Sequence, residues 1–235
     1  MESLMAIFNR GGNWINQLPA QVKTDVLKRM VALQLLDGET LYQRSANASG
    51  LYQVVSGFVE LKATGPSGNE MLVTIYGPGN LIGELPLMGD GERAFDAVAL
   101  GEVNVMALQK QDFDELIEQY PEIYHRLVEK LYRVIVVLLN RIEENALFSL
   151  QQRLAQLIVS AAQTYGVEHI GESGAEQYVI EMPLSQQNMG KLLGVTRHSV
   201  LREIKKWKAL GIVDKVNARW VVLRMTELQL IAENG

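Results

Sequence analysis

The sequence predicts an α+β fold: a β-rich N-terminal domain, one long helix, and a C-terminal winged helix-turn-helix. Three observations carry this. Short β-type runs separated by glycine fill the stretch from Gly38 to Leu108. A helical apolar seam with alternating spacings of three and four follows Pro121. Two short helix patterns joined by a glycine turn occupy Ser185 to Trp207, inside the most basic part of an otherwise acidic chain.

Bulk properties narrow the chemistry. The 235 residues are 48% hydrophobic and 21% charged, which supports a packed core rather than disorder. The formal net charge of −5 means that any nucleic-acid contact must come from a local basic patch. With no cysteine, disulfides, thiolate zinc sites, iron–sulfur clusters and cysteine nucleophiles are excluded. The three scattered histidines, His125, His169 and His198, predict no metal site. No nucleophile–base pairing or phosphate-loop signature stands out, so a non-enzymatic protein is expected. Met1 to Asn16 lacks the apolar core of a signal peptide, and the longest apolar run, Val134 to Leu139, is too short to span a bilayer. A cytoplasmic protein without a membrane partner is therefore expected.

Taken in order, Gln17 to Leu36 reads as helical, with Val22, Val26, Leu27 and Met30 as its apolar stripe. Strand-type runs follow at Leu51–Val55, Gly57–Leu61, Met71–Tyr76 and Ala97–Leu100. Gly65-Pro66, Gly77-Pro78-Gly79 and Gly89-Asp90-Gly91 punctuate them, the pattern of an antiparallel sandwich or barrel-like domain. Asp112 to Tyr165 is helical again, and Pro121 suits the first turn of a long helix. In that helix Val128, Leu131, Ile135, Leu138 and Ile142 form a seam suited to a parallel coiled-coil homodimer. The other reading of this stripe is a helix buried against its own domain, since Val134, Val136, Val137 and Leu139 are apolar too. Gly166 to Glu181 reads as a connector or hairpin. The expected division is 1–120 for the β domain, 121–147 for the dimerisation helix and 148–235 for the last module.

That module carries the sharpest signal. Ser185 suits a helix N-cap, and Met189, Leu192 and Leu193 form an apolar face. Gly190 stands where two crossing helices approach closely, and Gly194 where a tight turn needs positive φ. Thr196 suits the cap of a second helix whose Val200 and Ile204 face inward. The candidate DNA-contacting residues are Ser185, Gln186, Thr196, Arg197, His198, Ser199, Arg202 and Lys205. Between Pro183 and Arg224 nine basic residues face two acidic ones, a net +7 suited to phosphate neutralisation. Leu210–Val213 and Trp220–Leu223 read as the two strands of a wing. The blander alternative is an ordinary helical hairpin with a solvated basic face.

Over nearly its full length the sequence resembles the CRP/FNR family of transcription regulators, and two stretches carry the resemblance. Gly77-Pro-Gly-Asn-Leu-Ile-Gly-Glu-Leu85 with Glu92-Arg93 is similar to the phosphate-binding cassette of a cyclic-nucleotide-binding β-roll. Leu184 to Arg202 is similar to the family's DNA-reading helices. The resemblance implies a β-roll of cyclic-nucleotide-binding type, a dimerisation helix and a winged helix-turn-helix. It implies a homodimer on a palindromic duplex, with RNA polymerase as a further partner. It also implies an effector site in which Gly83, Glu84 and Leu85 hold ribose and phosphate while Arg93 pairs with the phosphate. Arg197 and Arg202 take the family's guanine-reading positions. His198 replaces an acidic residue, which implies a half-site different from the usual TGTGA-like element.

Three departures point away from cAMP. Ala94 stands where a small hydroxyl residue usually follows the cassette arginine. The loop before Arg93 is one residue shorter. Leu138 and Leu139 stand where cAMP sensors carry a Thr-Ser pair that contacts adenine. The expectation is a small anionic or nucleotide-like effector other than cAMP, or a less polar one held near Leu138 and Leu139, with no haem and no metal. Two alternatives stay open: an effector-independent regulator whose Glu84 and Arg93 form an internal ion pair, and a cyclic-nucleotide-binding module acting on a protein partner.

Overall fold

A computed structural model describes residues 13–66, 68–89, 91–170 and 176–234. The chain divides into two compact units, one within Ile7–Val136 and the other within Val137–Gly235.

The first unit begins with helix α1 (Ala20–Arg29), then strands β1 (Val31–Leu35), β2 (Thr40–Tyr42), β3 (Gly50–Thr64), β4 (Glu70–Tyr76), β5 (Leu81–Ile82) and β6 (Asp96–Gln109). Helix α2 (Lys110–Gln119) and the first half of helix α3 (Glu122–Leu147) close it. The strands form one six-stranded sheet ordered β1-β6-β3-β4, with β2 paired to β6 and β5 to β3. β3 and β6 run antiparallel from Gly50↔Gln109 to Lys62↔Asp96, and register shifts bend them between Val54 and Phe58. This bend is what the sequence shows as two separate runs, Leu51–Val55 and Gly57–Leu61. The core gathers Trp14 and Val26, Leu51 and Leu108, Phe113 and Leu116, and Ile123 and Leu127 from α3. The inner face of α3 is therefore anchored on this unit, and burying so many apolar side chains supplies its main stabilisation.

One sequence-based element is overturned. The helix expected over Gln17–Leu36 ends at Arg29; Met30 is extended, and Val31–Leu35 pairs antiparallel with β6 in the register Val31↔Ala107 to Leu35↔Val103. Val31, Leu33 and Leu35 alternate with period two, and the long-range ladder overrides the helical stripe of Leu27 and Met30.

The second unit holds the rest of α3, helix α4 (Leu150–Tyr165), strands β7 (Gly166–Ile170) and β8 (Glu176–Ile180), helices α5 (Gln186–Leu193) and α6 (Arg197–Ala209), strands β9 (Val213–Val216) and β10 (Arg219–Val222), and helix α7 (Met225–Asn234). A capping box starts α4: Ser149 Oγ accepts from Gln152 N–H while Gln152 Oε1 accepts from Ser149 N–H. α4 packs against α7, and the second sheet runs β7-β8-β10-β9. The wing's first strand begins at Val213 rather than Leu210. Leu210 and Gly211 instead end α6, their N–H groups donating to Lys206 and Lys208 carbonyls at 3.1 and 3.0 Å.

The wing turns on two residues, Asn217 and Ala218, both with positive φ (49° and 66°). This is the turn that matches strand twist in a two-residue hairpin, and it normally carries Asn-Gly. Alanine is strained there, so Ala218→Gly is expected to stabilise the hairpin by about 0.5–1 kcal/mol. Amide exchange across Val213–Val222 should slow accordingly; unchanged or faster exchange would contradict a strained turn.

Candidate functional site

The candidate site residues gather in two constellations, one in each unit. In the second unit the sequence order Ser185–Trp207 becomes two crossing helices. Ser185 Oγ accepts from Asn188 N–H at 3.0 Å and starts α5. Gly194 ends it in the left-handed conformation, φ 67°. Val195 N–H donates to the Gly190 carbonyl at 3.0 Å, and a Cβ on Gly190 would lie 2.8 Å from the Val195 carbonyl oxygen. Only glycine at 190 lets the turn fold back so closely. Thr196 Oγ1 then accepts from Ser199 N–H at 3.2 Å and starts α6.

Val200, Ile204 and Trp207 bury the inner face of α6, leaving Arg197, His198, Arg202, Lys205 and Lys206 exposed. Arg197, His198 and Lys205 have no side-chain partner among the described residues, so their donors face outward at the start and middle of the helix. Ser185 and Thr196 spend their hydroxyl groups on caps, and Ser199 Oγ sits 3.0 Å from Thr196 Oγ1. Gln186 is half-buried in the first turn of α5. Trp220 Nε1 donates to the Leu184 carbonyl at 2.6 Å and ties the wing to the start of α5. Arg153 Nη1 donates to Asn145 Oδ1 at 2.6 Å and to the Leu193 carbonyl at 3.3 Å, joining the end of α3 to the end of α5. On the wing, hydrogen bonds from Lys208 and from Lys215 N–H hold the Asp214 carboxyl below its usual range.

Sequence reading missed Glu203. It is 5% exposed, and its carboxylate takes Lys206 Nζ at 2.7 Å and Arg202 Nε at 3.3 Å. Burial pushes this carboxyl up, but the bonds and charges of Lys206 and Arg202 outweigh burial and hold it low.

In the first unit, Gly83, Glu84 and Arg93 come together as the cassette pattern requires. Gly83 has φ 87°, and a Cβ there would lie 2.6 Å from Arg93 Nη1. Arg93 is 2% exposed, and its guanidinium faces the protein itself. Nη1 donates to the Gly83 carbonyl at 2.5 Å, Nη2 to the Gly50 carbonyl at 2.6 Å, and the group stacks 4.2 Å from the Tyr42 ring centroid. Burial pushes the Tyr42 phenol well above its usual range. Glu84, equally buried, ion-pairs with Lys130 of α3, whose Nζ also donates to the Leu81 carbonyl at 2.8 Å. Leu85 opens a short 3-10 turn and is exposed, as is Ala94. Lys130 was not anticipated. Its signal was available: Ile123, Leu127 and Lys130 follow a spacing of four then three, which places the lysine on the buried face.

Along α3, Val128, Ile135, Leu138 and Ile142 are 48–66% exposed, Leu139 is exposed too, and Leu131 is half-buried. Among the described residues no group of three or more His, Asp or Glu gathers as a metal site, and no helix is long and apolar enough to cross a membrane.

Comparison with known proteins finds a family match in each unit. Residues 32–120 match the cyclic nucleotide-binding domain and residues 152–231 the Crp-like helix-turn-helix domain. The chain is 27% identical over 184 residues to the CRP-like cAMP-activated global transcriptional regulator of Mycobacterium tuberculosis, covering 78% of this chain and 80% of that one. In fold it is similar to FixK2 from Bradyrhizobium japonicum, with a TM-score of 0.75 at 18% identity over 88% of this chain and 98% of that one. It is likewise similar to the c-di-GMP responsive global regulator CLP of Xanthomonas campestris, with a TM-score of 0.70 at 17% identity over 87% and 99%.

Proposed function

Because the chain belongs to the CRP/FNR family of transcription regulators, we propose that it acts as a cytoplasmic homodimer that reads a palindromic DNA duplex and is not switched by cAMP. The observation that carries the DNA reading is the outward face of α6, where Arg197, His198 and Lys205 stand exposed, without side-chain partners among the described residues, in the +7 module. An arginine fork at the start of a recognition helix suits the O6 and N7 edge of guanine, and the surrounding lysines suit phosphates. Residues 121–147 serve as the dimerisation helix, and RNA polymerase is the partner such a regulator engages at a promoter.

The exposed seam supports pairing with a second copy, since a row of apolar side chains on one helix face is costly to leave in water. Ile135→Glu with Ile142→Glu is expected to give a monomer by analytical ultracentrifugation and to abolish tight binding to palindromic DNA. A variant that stays dimeric would contradict this use of the seam.

The exclusion of cAMP is supported by the engagement of both receptor groups inside the fold. A cyclic nucleotide would have to draw Arg93 from two carbonyls and an aromatic face, and Glu84 from a buried lysine. The leading reading is a different small effector acting through the β-roll. The Lys130–Glu84 pair favours a second reading, effector-independent DNA binding, because Lys130 already supplies a positive partner to Glu84. Arg93→Ala separates the two: a changed effector response supports the first, and unchanged DNA binding with no response supports the second.

A further inference from the structure

We propose that Glu203 is a positioning residue for DNA recognition, holding the Arg202 guanidinium by its Nε edge so that both Nη groups are presented to a base. This rests on the reading of α6 as the recognition helix.

Three observations carry the assignment. First, Glu203 lies on the boundary of α6. At about 100° per residue it falls between the buried Val200 and Trp207 and the exposed Arg202 and Lys206. Its carboxylate is thus buried at the root of the outer face rather than projecting from it. Second, both oxygens are engaged by cations of that face, Oε1 with Arg202 Nε at 3.3 Å and Oε2 with Lys206 Nζ at 2.7 Å. The Arg202 side chain is itself 70% exposed, and its Nη groups have no partner among the described residues. Third, Glu203 and Asp214 are the only acids between Pro183 and Arg224, where nine basic residues stand. A carboxylate beside DNA phosphates opposes binding, so its placement between two cations of the reading face calls for a compensating role.

Orientation supplies that role. A free arginine loses rotamer freedom when it is fixed on a base, and a guanidinium already held at Nε loses less. The bidentate contact to guanine uses the Nη pair, which the Nε bond leaves available. Lys206, by contrast, is partly neutralised by Glu203, so the wild-type module contacts phosphates with less than its full formal charge.

The test takes the full-length protein and a duplex recovered from a random DNA library by repeated selection for affinity. Binding is measured on this duplex and on variants with each base pair replaced in turn, for wild type, Arg202→Ala, Glu203→Gln and the double variant, across a salt series. Glu203→Gln is expected to lower discrimination at the base pair read by Arg202 by about threefold to tenfold per half-site, with the other pairs changed by less than about twofold. The salt slope should steepen by about one per half-site as Lys206 is released. In the Arg202→Ala background, Glu203→Gln should cause no further loss at that base pair. Equal discrimination by Glu203→Gln and wild type would overturn the assignment, as would a uniform loss at every pair. A wild-type protein that prefers no base pair anywhere would overturn both this assignment and the reading of α6 as a recognition helix. Thermal unfolding of Glu203→Gln and of Glu203→Leu, which cannot hydrogen-bond, separates loss of fold from loss of positioning: two variants equally stable but unequal in discrimination support positioning, and equal discrimination overturns it.

Discussion

Lys130→Met is expected to destabilise the N-terminal unit by about 3–5 kcal/mol, the effect of leaving one member of a buried ion pair without its partner. Glu84 is 2% exposed and Lys130 6%, so neither charge is relieved by water once the other is gone. Methionine matches the length of the lysine stem and fills its space, which confines the loss to the charge and to the bond with the Leu81 carbonyl. Adding Glu84→Gln to Lys130→Met should recover most of the stability, because no uncompensated charge then remains buried. Chemical unfolding of the four proteins measures the coupling directly. A Lys130→Met variant as stable as wild type would show that Glu84 is already satisfied without the lysine. The pair also joins the cassette to α3.

Arg197→Ala is expected to weaken binding to the preferred duplex by about tenfold to a hundredfold per half-site. The fold should be unaffected, since Arg197 is exposed and bonded to nothing among the described residues. Binding to scrambled duplex should change far less, because a base-reading arginine supplies discrimination rather than bulk charge. Lys205→Ala is the contrasting control: a phosphate-contacting lysine should weaken both duplexes alike and lower the salt slope by about one per half-site. Competition titrations of labelled preferred duplex against scrambled duplex distinguish the two patterns. Equal losses on both duplexes for Arg197→Ala would move that arginine from base reading to phosphate contact.

The parts of this molecule legible in the sequence are those governed by local rules. Ser185, Gly190, Gly194 and Thr196 each meet a backbone requirement of a helix-turn-helix, and all four occupy the predicted places. The apolar stripe from Val128 to Ile142 followed from helical periodicity, and all of it but the half-buried Leu131 is exposed. What was not legible depends on pairing across long distances. Val31–Leu35 is short and apolar, and only its ladder with β6 makes it a strand. The Nη groups of Arg93 donate to the carbonyls of Gly50 and Gly83, and backbone acceptors leave no trace in side-chain identity. Lys130 looks like a polar break in an apolar stripe until its partner Glu84, 46 residues earlier in the chain, is placed beside it. Glu203 stands as one acid among nine bases, although its spacing of three from both Val200 and Lys206 puts it between the core and the exposed face of α6.

On the proposed function, this chain reads duplex DNA through α6 without cAMP. Fluorescence anisotropy of the purified protein on its preferred palindromic duplex and on a scrambled one, across salt and with and without cAMP, tests it most directly. Selective binding that weakens steeply with salt and is the same in both nucleotide conditions is the expected result. Selective binding that appears only when cAMP is added would contradict the assignment of Arg93 and Glu84 to internal partners, and no selectivity under either condition would contradict the claim itself.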